Sequence, residues 1–164
     1  MAPGAPDQIV LFRLGEENFG VSISLVREVT VLQPITRVPR TPDFIEGVTN
    51  LRGRVIPVLD LRRRLGLPAD PPGREARIVV VEYQGEIIGM IVDGVSEVLT
   101  IDPASVEPPS PYVVSVDTQY ITGILKLADR LVILLDLTRV LSAEEAADLG
   151  EFNATTASQM LPKA

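Results

Sequence analysis

The 164 residues contain no cysteine, no histidine and no tryptophan. Without cysteine there are no disulfides and no thiolate nucleophile. Without histidine there is no imidazole base, no phosphohistidine and almost no route to zinc or copper chemistry. No metal site and no cofactor is therefore expected. An enzyme built on this chain would have to work with carboxylates, hydroxyls, tyrosine and its only lysines, Lys126 and Lys163. Positive charge is scarce as well. Fifteen Lys and Arg face 22 Asp and Glu, for a net charge of −7, and the pI is near 4.6. A nucleic-acid surface needs the opposite balance. The 4% of aromatic residues leaves little for base stacking. Long apolar runs are missing too: Leu131–Leu135 is far short of the ~18 residues that span a membrane. The opening MAPGAPDQ lacks the basic and apolar regions of a signal peptide. A cytoplasmic location without membrane insertion is expected.

What is present is Val, Ile and Leu in short runs, punctuated by 12 Gly and 14 Pro. QIVLFRLG, NFGVSISL, RVIPVLDL (54–61), ARIVVVEY (76–83), EIIGMIV (86–92) and DRLVILLDL (129–137) read as strands. YQGE (83–86) reads as a hairpin turn, and a second turn falls at Gly15. Pro57 inside a strand suggests an edge or a bulge. The Pro-rich stretches 66–75 and 102–111 read as irregular loops. Ser142 followed by Glu145 forms a capping box, predicting a C-terminal helix that plugs a barrel. Residues 1–7 and 151–164 read as disordered or flexible ends around a single domain, 8–150.

That domain contains an internal repeat, with halves of about 8–77 and 78–150. FGVSISLVREV (19–29) lies over IGMIVDGVSEV (88–98), matching Gly20 with Gly89, Val26 with Val95, Glu28 with Glu97 and Val29 with Val98. IEGVTNLRGRVIPVLDLRRRL (45–65) lies over ITGILKLADRLVILLDLTRVL (121–141), matching Gly47 with Gly123, Arg54 with Arg130, Asp60 with Asp136 and Arg63 with Arg139. The period is too long for a solenoid. Two small packed barrels or sheets suit it better. Five of the chain's basic residues fall in Gly47–Arg64. On the repeat, Arg54 and Arg63 read as scaffold, and Arg62 and Arg64, which have no counterpart, as solvated. Asp60 and Asp136 are expected to cap the following turn or pair with those arginines. Arg52-Gly53 stands against Ala128-Asp129, which marks Arg52 as the specialised arginine.

Residues 41–66 (TPDFIEGVTNLRGRVIPVLDLRRRLG), 88–99 (IGMIVDGVSEVL) and 120–141 (YITGILKLADRLVILLDLTRVL) closely resemble the CheW family of bacterial chemotaxis coupling proteins, and 9–23 and 26–29 fit as well. The resemblance implies an all-β fold of two intertwined five-stranded SH3-like barrels around a shared hydrophobic core, with short helices and a C-terminal helix. It implies a non-enzymatic adaptor in two-component signalling. The adaptor would bridge the cytoplasmic tips of methyl-accepting chemoreceptors to the regulatory domain of the histidine kinase CheA, at the inner face of the membrane. A scaffold of a non-flagellar chemosensory pathway (gliding, pilus motility or biofilm control) is the alternative. The isolated protein is expected to be a monomer. By match to the family, the receptor-binding residues are Val26, Glu28, Arg52, Val95 and Val98, with Glu28 and Arg52 forming an ion pair. Because Glu97 faces Ala128 in the second copy, that pair is expected once only. Val29, Glu107 and Tyr112 are the implied kinase contacts. Gly53, Gly89, Gly94, Asp60 and Asp93 are structural. Gly53 is expected to take a positive φ, and Gly89 and Gly94 to permit a bend or a close approach.

Other functions fit less well. A phosphoacceptor receiver needs alternating strands and helices around a parallel sheet and a lysine at a strand end. This chain reads strand after strand. Carboxylates such as Glu28, Glu46, Asp60 and Asp93 are not concentrated around a nucleophile, and the GxxxxGK phosphate loop is absent.

Overall fold

The computed structural model describes residues 8–42, 45–110 and 116–141. The predicted C-terminal helix, both terminal segments and Tyr112 lie outside the described residues. The described residues form eleven strands, two single-turn helices and three 3-10 turns, joined by loops. The strands and helices are β1 (Gln8–Leu14), β2 (Glu17–Ser22), β3 (Val26–Val31), β4 (Ile45–Leu51), β5 (Arg54–Asp60), α1 (Leu61–Arg64), β6 (Arg77–Tyr83) and β7 (Glu86–Val92). After these come β8 (Gly94–Thr100), β9 (Val106–Glu107), β10 (Ile121–Lys126), β11 (Leu131–Leu135) and α2 (Leu137–Val140).

The hairpins close where the sequence supplies residues that accept a positive φ. Gln84 and Gly85, at +50° and +80°, join β6 to β7. Arg52 and Gly53, at +54° and +83°, join β4 to β5. Positive φ at both central residues is what a type I′ turn requires. The Pro-rich stretch expected to be irregular is more regular over residues 102–107. Asp102 caps a 3-10 turn over Pro103–Ser105, and the two-residue β9 follows. A proline in the first turn lacks only an N–H that would have no partner there.

The strands form two sheets, ordered β8-β1-β2-β11-β10-β9 and β3-β6-β7-β5-β4. Neither sheet is made from one half of the repeat. The first takes β1 and β2 from the first half and β8 to β11 from the second; the other takes β3 to β5 from the first and β6 and β7 from the second. The halves therefore exchange strands, joined by parallel pairings of β2 with β11 and β5 with β7. The matched glycines Gly20 and Gly89 sit in these parallel joints. A Cβ on Gly20 would lie 2.8 Å from Ile9 Cδ1, and one on Gly89 2.9 Å from Ile78 Cγ2.

Most strands are buried on both faces, so their sequences read as continuous apolar runs. Along β1, Ile9 and Leu11 enter a cluster belonging to the six-stranded sheet, with Leu125, Val132 and Leu134. Val10, Phe12 and Leu14 point the other way, into a core shared by both sheets. In β6, Ile78 and Val80 fill the five-stranded sheet's own cluster, while Val79, Val81 and Tyr83 join the shared core. Pro57 is in an interior strand, not at the expected edge or bulge. Its opposite residue, Val48, exchanges both backbone hydrogen bonds with Thr36 instead (2.8 and 2.9 Å). Pairing with β7 begins only at Val58. The missing proline N–H therefore costs no bond across to β4.

Candidate functional site

β3 and β8, equivalent in the repeat, are each an edge strand, and among the described residues no element covers their outer ends. A bulge at Arg27 lets Val26 oppose Val81 and Val29 oppose Val79. Both partners belong to the shared core, so Val26 and Val29 share its face. In β8, a bulge at Ser96 lets Val95 oppose Phe12 and Val98 oppose Val10, again on the shared-core side. Val26 and Val95 are half-buried and pack on that core. Farther out the stripes open to solvent, with Val29 39%, Val31 56% and Val98 53% exposed. Two β-branched stripes thus run from one core onto the surface. Val98 is a surface residue, not part of the core.

Glu28 and Arg52 are brought together. The Arg52 guanidinium meets the Glu28 carboxylate with both ends, at 3.1 Å (Nη1 to Oε1) and 2.9 Å (Nη2 to Oε2). β3 and β4 are opposite edges of their sheet, so this pair bridges from one edge strand to the turn that ends the other. The other barrel has its own version, which corrects the expectation of a single pair. Arg130 Nη2 donates to Glu97 Oε1 at 3.0 Å. The turn there is Ala128-Asp129, and the arginine has moved to the position matching Arg54, where the strand end aims it at the same carboxylate.

Arg52 holds φ at +54°, a region few residues other than glycine, Asn and Asp adopt readily. Its side chain is 78% exposed, and an exposed ion pair contributes only ~0–1 kcal/mol. Arg52→Asn, which makes the favoured Asn-Gly turn, is therefore expected to leave stability unchanged or raise it by up to about 1 kcal/mol. Chemical denaturation would check this, and a loss beyond about 1 kcal/mol would show that the pair holds the fold.

Arg62 corrects the reading of the basic cluster most sharply. It is buried, with a side chain 5% exposed, not solvated. Its Nε donates to Asp60 Oδ1 (3.0 Å) and its Nη2 to Asp60 Oδ2 (2.9 Å). Its Nη1 donates to Asp93 Oδ1 (3.0 Å) and to the Asp70 carbonyl (2.6 Å). The hydrogen bond to Asp60 raises the Arg62 pKa above its ordinary value, with burial opposing. Asp60 also caps α1 by accepting from Arg62 N, as Asp136 caps α2 through Thr138 N. Arg64 is half-buried: its Nε donates to the Val140 carbonyl (2.7 Å), and its guanidinium lies over the Tyr120 ring. The repeated Arg54 and Arg63 are the exposed ones. Arg63 sits 3.6 Å from Glu46 and 3.8 Å from Asp60.

The remaining predicted residues are placed as follows. Gly53 has φ +83°. Gly94 leaves room for Arg13, whose Nη2 would be 3.1 Å from an added Cβ. Glu107, on the edge strand β9, pairs with Lys126 at 3.1 Å. Val29 and Glu107 stand on different sheets, so they are separate patches. Among the described residues no cluster of acidic side chains could hold a metal ion, and no helix is long and apolar enough to cross a membrane.

Comparison with known proteins adds a family to this geometry. The model of the CheW-like domain matches residues 8–145. The chain is 36% identical over 140 residues to the chemotaxis protein CheW of Klebsiella aerogenes, covering 85% of this chain and 84% of that protein. It is 38% identical over 109 residues to the protein FrzA of Myxococcus xanthus, covering 66% and 68%. Among solved structures, the scaffolding protein TtCheW of Thermoanaerobacter tengcongensis superposes with a TM-score of 0.77 at 43% identity, over 85% of this chain and 90% of that one. The chain belongs to the CheW-like domain family.

Proposed function

We propose that this protein is a non-catalytic adaptor that couples the cytoplasmic tips of chemoreceptors to the regulatory domain of a CheA-type histidine kinase. The observation that carries the reading is the pair of uncovered valine stripes on β3 and β8. An amphipathic helix binds by laying an apolar face along such a surface, and a receptor tip is a helical hairpin. Val26, Val95 and Val98 supply the apolar contact. The Glu28–Arg52 pair beside them supplies charge at the rim, where it sets register more than affinity. Val29 at the edge of one sheet and Glu107 at the edge of the other serve barrel-to-barrel contacts with the kinase, joined by Tyr112. The network of Asp60 and Asp93, with the glycines, holds these surfaces in shape. The net charge of −7 disfavours nucleic acid as a partner. The protein works in the cytoplasm, and the receptors recruit it to the inner face of the membrane.

The test is binding of the purified protein to a receptor-tip hairpin and to a kinase regulatory domain from its own organism. Wild type is expected to bind both. Arg52→Ala is expected to fold normally and, as loss of a rim charge does, to slow association with the hairpin severalfold and flatten its salt dependence. Failure of wild type to bind either partner at high micromolar concentration would end the coupling reading.

A further inference from the structure

We propose that Arg62 is a positioning residue for the receptor-contact stripe of β8, holding it through Asp93. The proposal rests on the coupling function above. Asp93 is the single residue between β7 and β8, and all of its polar atoms are held. Its N–H donates to the Arg13 carbonyl (2.9 Å) and its carbonyl accepts from Arg13 Nη2 (3.0 Å). Its Oδ2 accepts from Gly15 N (2.6 Å) and its Oδ1 from Arg62 Nη1 (3.0 Å). The first three bonds come from the β1–β2 hairpin. The backbone of Asp93 continues from β7 of the five-stranded sheet, and of its four hydrogen bonds only the one from Arg62 comes from that side of the molecule. Val95, where the stripe begins, is two residues on.

The repeat supplies the contrast. At the matching junction, from β2 to β3, Ser24 stands where Asp93 does, and Thr138 stands where Arg62 does. The side-chain hydrogen bonds of that 3-10 turn stay inside it: Ser22 Oγ to Ser24 Oγ at 2.8 Å, and Ser24 N to Ser22 Oγ at 3.3 Å. The two stripes are therefore anchored unequally. At the turn that leads into each stripe, the β8 side is held by a buried guanidinium from across the molecule, and the β3 side by hydroxyls within the turn. Arginine suits the task because its fork serves two carboxylates and a carbonyl at once, which an ammonium on a flexible stem does not reproduce. The same Nη1 holds the 66–75 loop at Asp70, and Arg13 holds that loop at Glu75 (3.0 Å). These residues wall a cavity of about 880 Å³ beside the β1–β2 turn. One guanidinium thus ties the loop on the cavity side to the start of the stripe.

Removing Arg62 alone would strand Asp60 in the core, so two milder variants carry the test. Asp93→Asn weakens the tie and keeps an acceptor for Gly15 N. The double variant Asp60→Leu/Arg62→Met replaces the buried pair with apolar side chains and removes the tie entirely. Both are expected to melt as one cooperative unit. Amide exchange at Gly94 and Val95 should quicken, and affinity for the receptor-tip hairpin should fall by about tenfold, with affinity for the kinase regulatory domain within about twofold of wild type. A merely structural role would weaken both partners together or leave β8 exchange untouched. Unchanged exchange at Gly94 and Val95 in the double variant overturns the proposal. So does quickened exchange with unchanged hairpin affinity. The exchange experiment needs no partner, so failure of wild type to bind the hairpin would sink the coupling reading and still leave the positioning of β8 decided.

Discussion

Gly47→Ala is expected to destabilise the protein by about 3–5 kcal/mol, combining a strained backbone with an overpacked contact, and to lower its melting temperature by about 10 °C. Gly47 has φ +147°, where only glycine is at ease, and an added Cβ would sit 2.1 Å from the backbone oxygen of Thr36. That oxygen cannot retreat cheaply. It accepts from Val48 N at 2.9 Å, and the neighbouring Pro34 carbonyl accepts from Thr49 Oγ1 at 2.7 Å. Displacing the segment would break these bonds and leave Thr49, which is buried, without its acceptor. The repeat makes the argument sharper. Gly123 matches Gly47 in sequence and in its register bulge, but an added Cβ there meets a side-chain methyl of Val106 at 2.4 Å and the Glu107 oxygen at 2.8 Å. Those residues form the short edge strand β9, which can shift outward. Gly123→Ala should therefore cost only about 1–2 kcal/mol, in the range of ordinary overpacking. Thermal unfolding of both variants decides the matter. A Gly47→Ala protein melting within about 3 °C of wild type would contradict it.

The hairpins are legible in the sequence because their signals are local. Gln84-Gly85 and Arg52-Gly53 interrupt apolar runs, and each run is a strand. The repeat is legible too, and with it the equivalence of β3 and β8. What the repeat hides is which half pairs with which. Strand exchange leaves every local pattern intact, so Gly20 and Gly89 announce a close approach without saying to what. Arg62 escapes for the same reason. Its burial depends on Asp93, 31 residues away and in the other half, and nothing in LRRR separates it from the exposed Arg63. Arg130 escapes differently. Matching by position assigns the Glu97 partner to residue 128, yet a long side chain can reach the same carboxylate from the strand end. Pro57 misleads because its type argues for an edge, while Val48 makes its bonds elsewhere and leaves the proline nothing to donate to.

Of the candidate site, the residue types at Val26, Glu28, Arg52, Val95 and Val98 follow from the resemblance, and the structure adds their exposure. The exposure matters, because an apolar stripe has a binding role only when the fold leaves it uncovered. Core strands such as β6 carry the same Val-rich text as β3. The difference is that β6 has a strand on each side and β3 does not, a fact of topology that no window of sequence contains.

Arg62→Met alone is expected to cost about 3–5 kcal/mol, because it leaves a buried carboxylate without its guanidinium. Asp60 is 3% exposed, and its nearest other cation, Arg63 Nε, is 3.8 Å away on a half-exposed side chain. Asp60→Leu alone should cost slightly less, since Arg62 keeps Asp93 and the Asp70 carbonyl. It also loses the cap to Arg62 N, worth ~1 kcal/mol. The double variant is the informative one. With neither charge left in the core, the desolvation that opposed the pair disappears, and two apolar side chains of similar size fill the space. It should lie within about 1.5 kcal/mol of wild type, the residue being the lost cap and the tie to Asp93. The cycle would then give a coupling of at least about 2 kcal/mol, the size seen for side chains sharing one network. Urea denaturation of the four proteins measures it. Additive singles, with a double near the sum of both losses, would mean that the two side chains act separately.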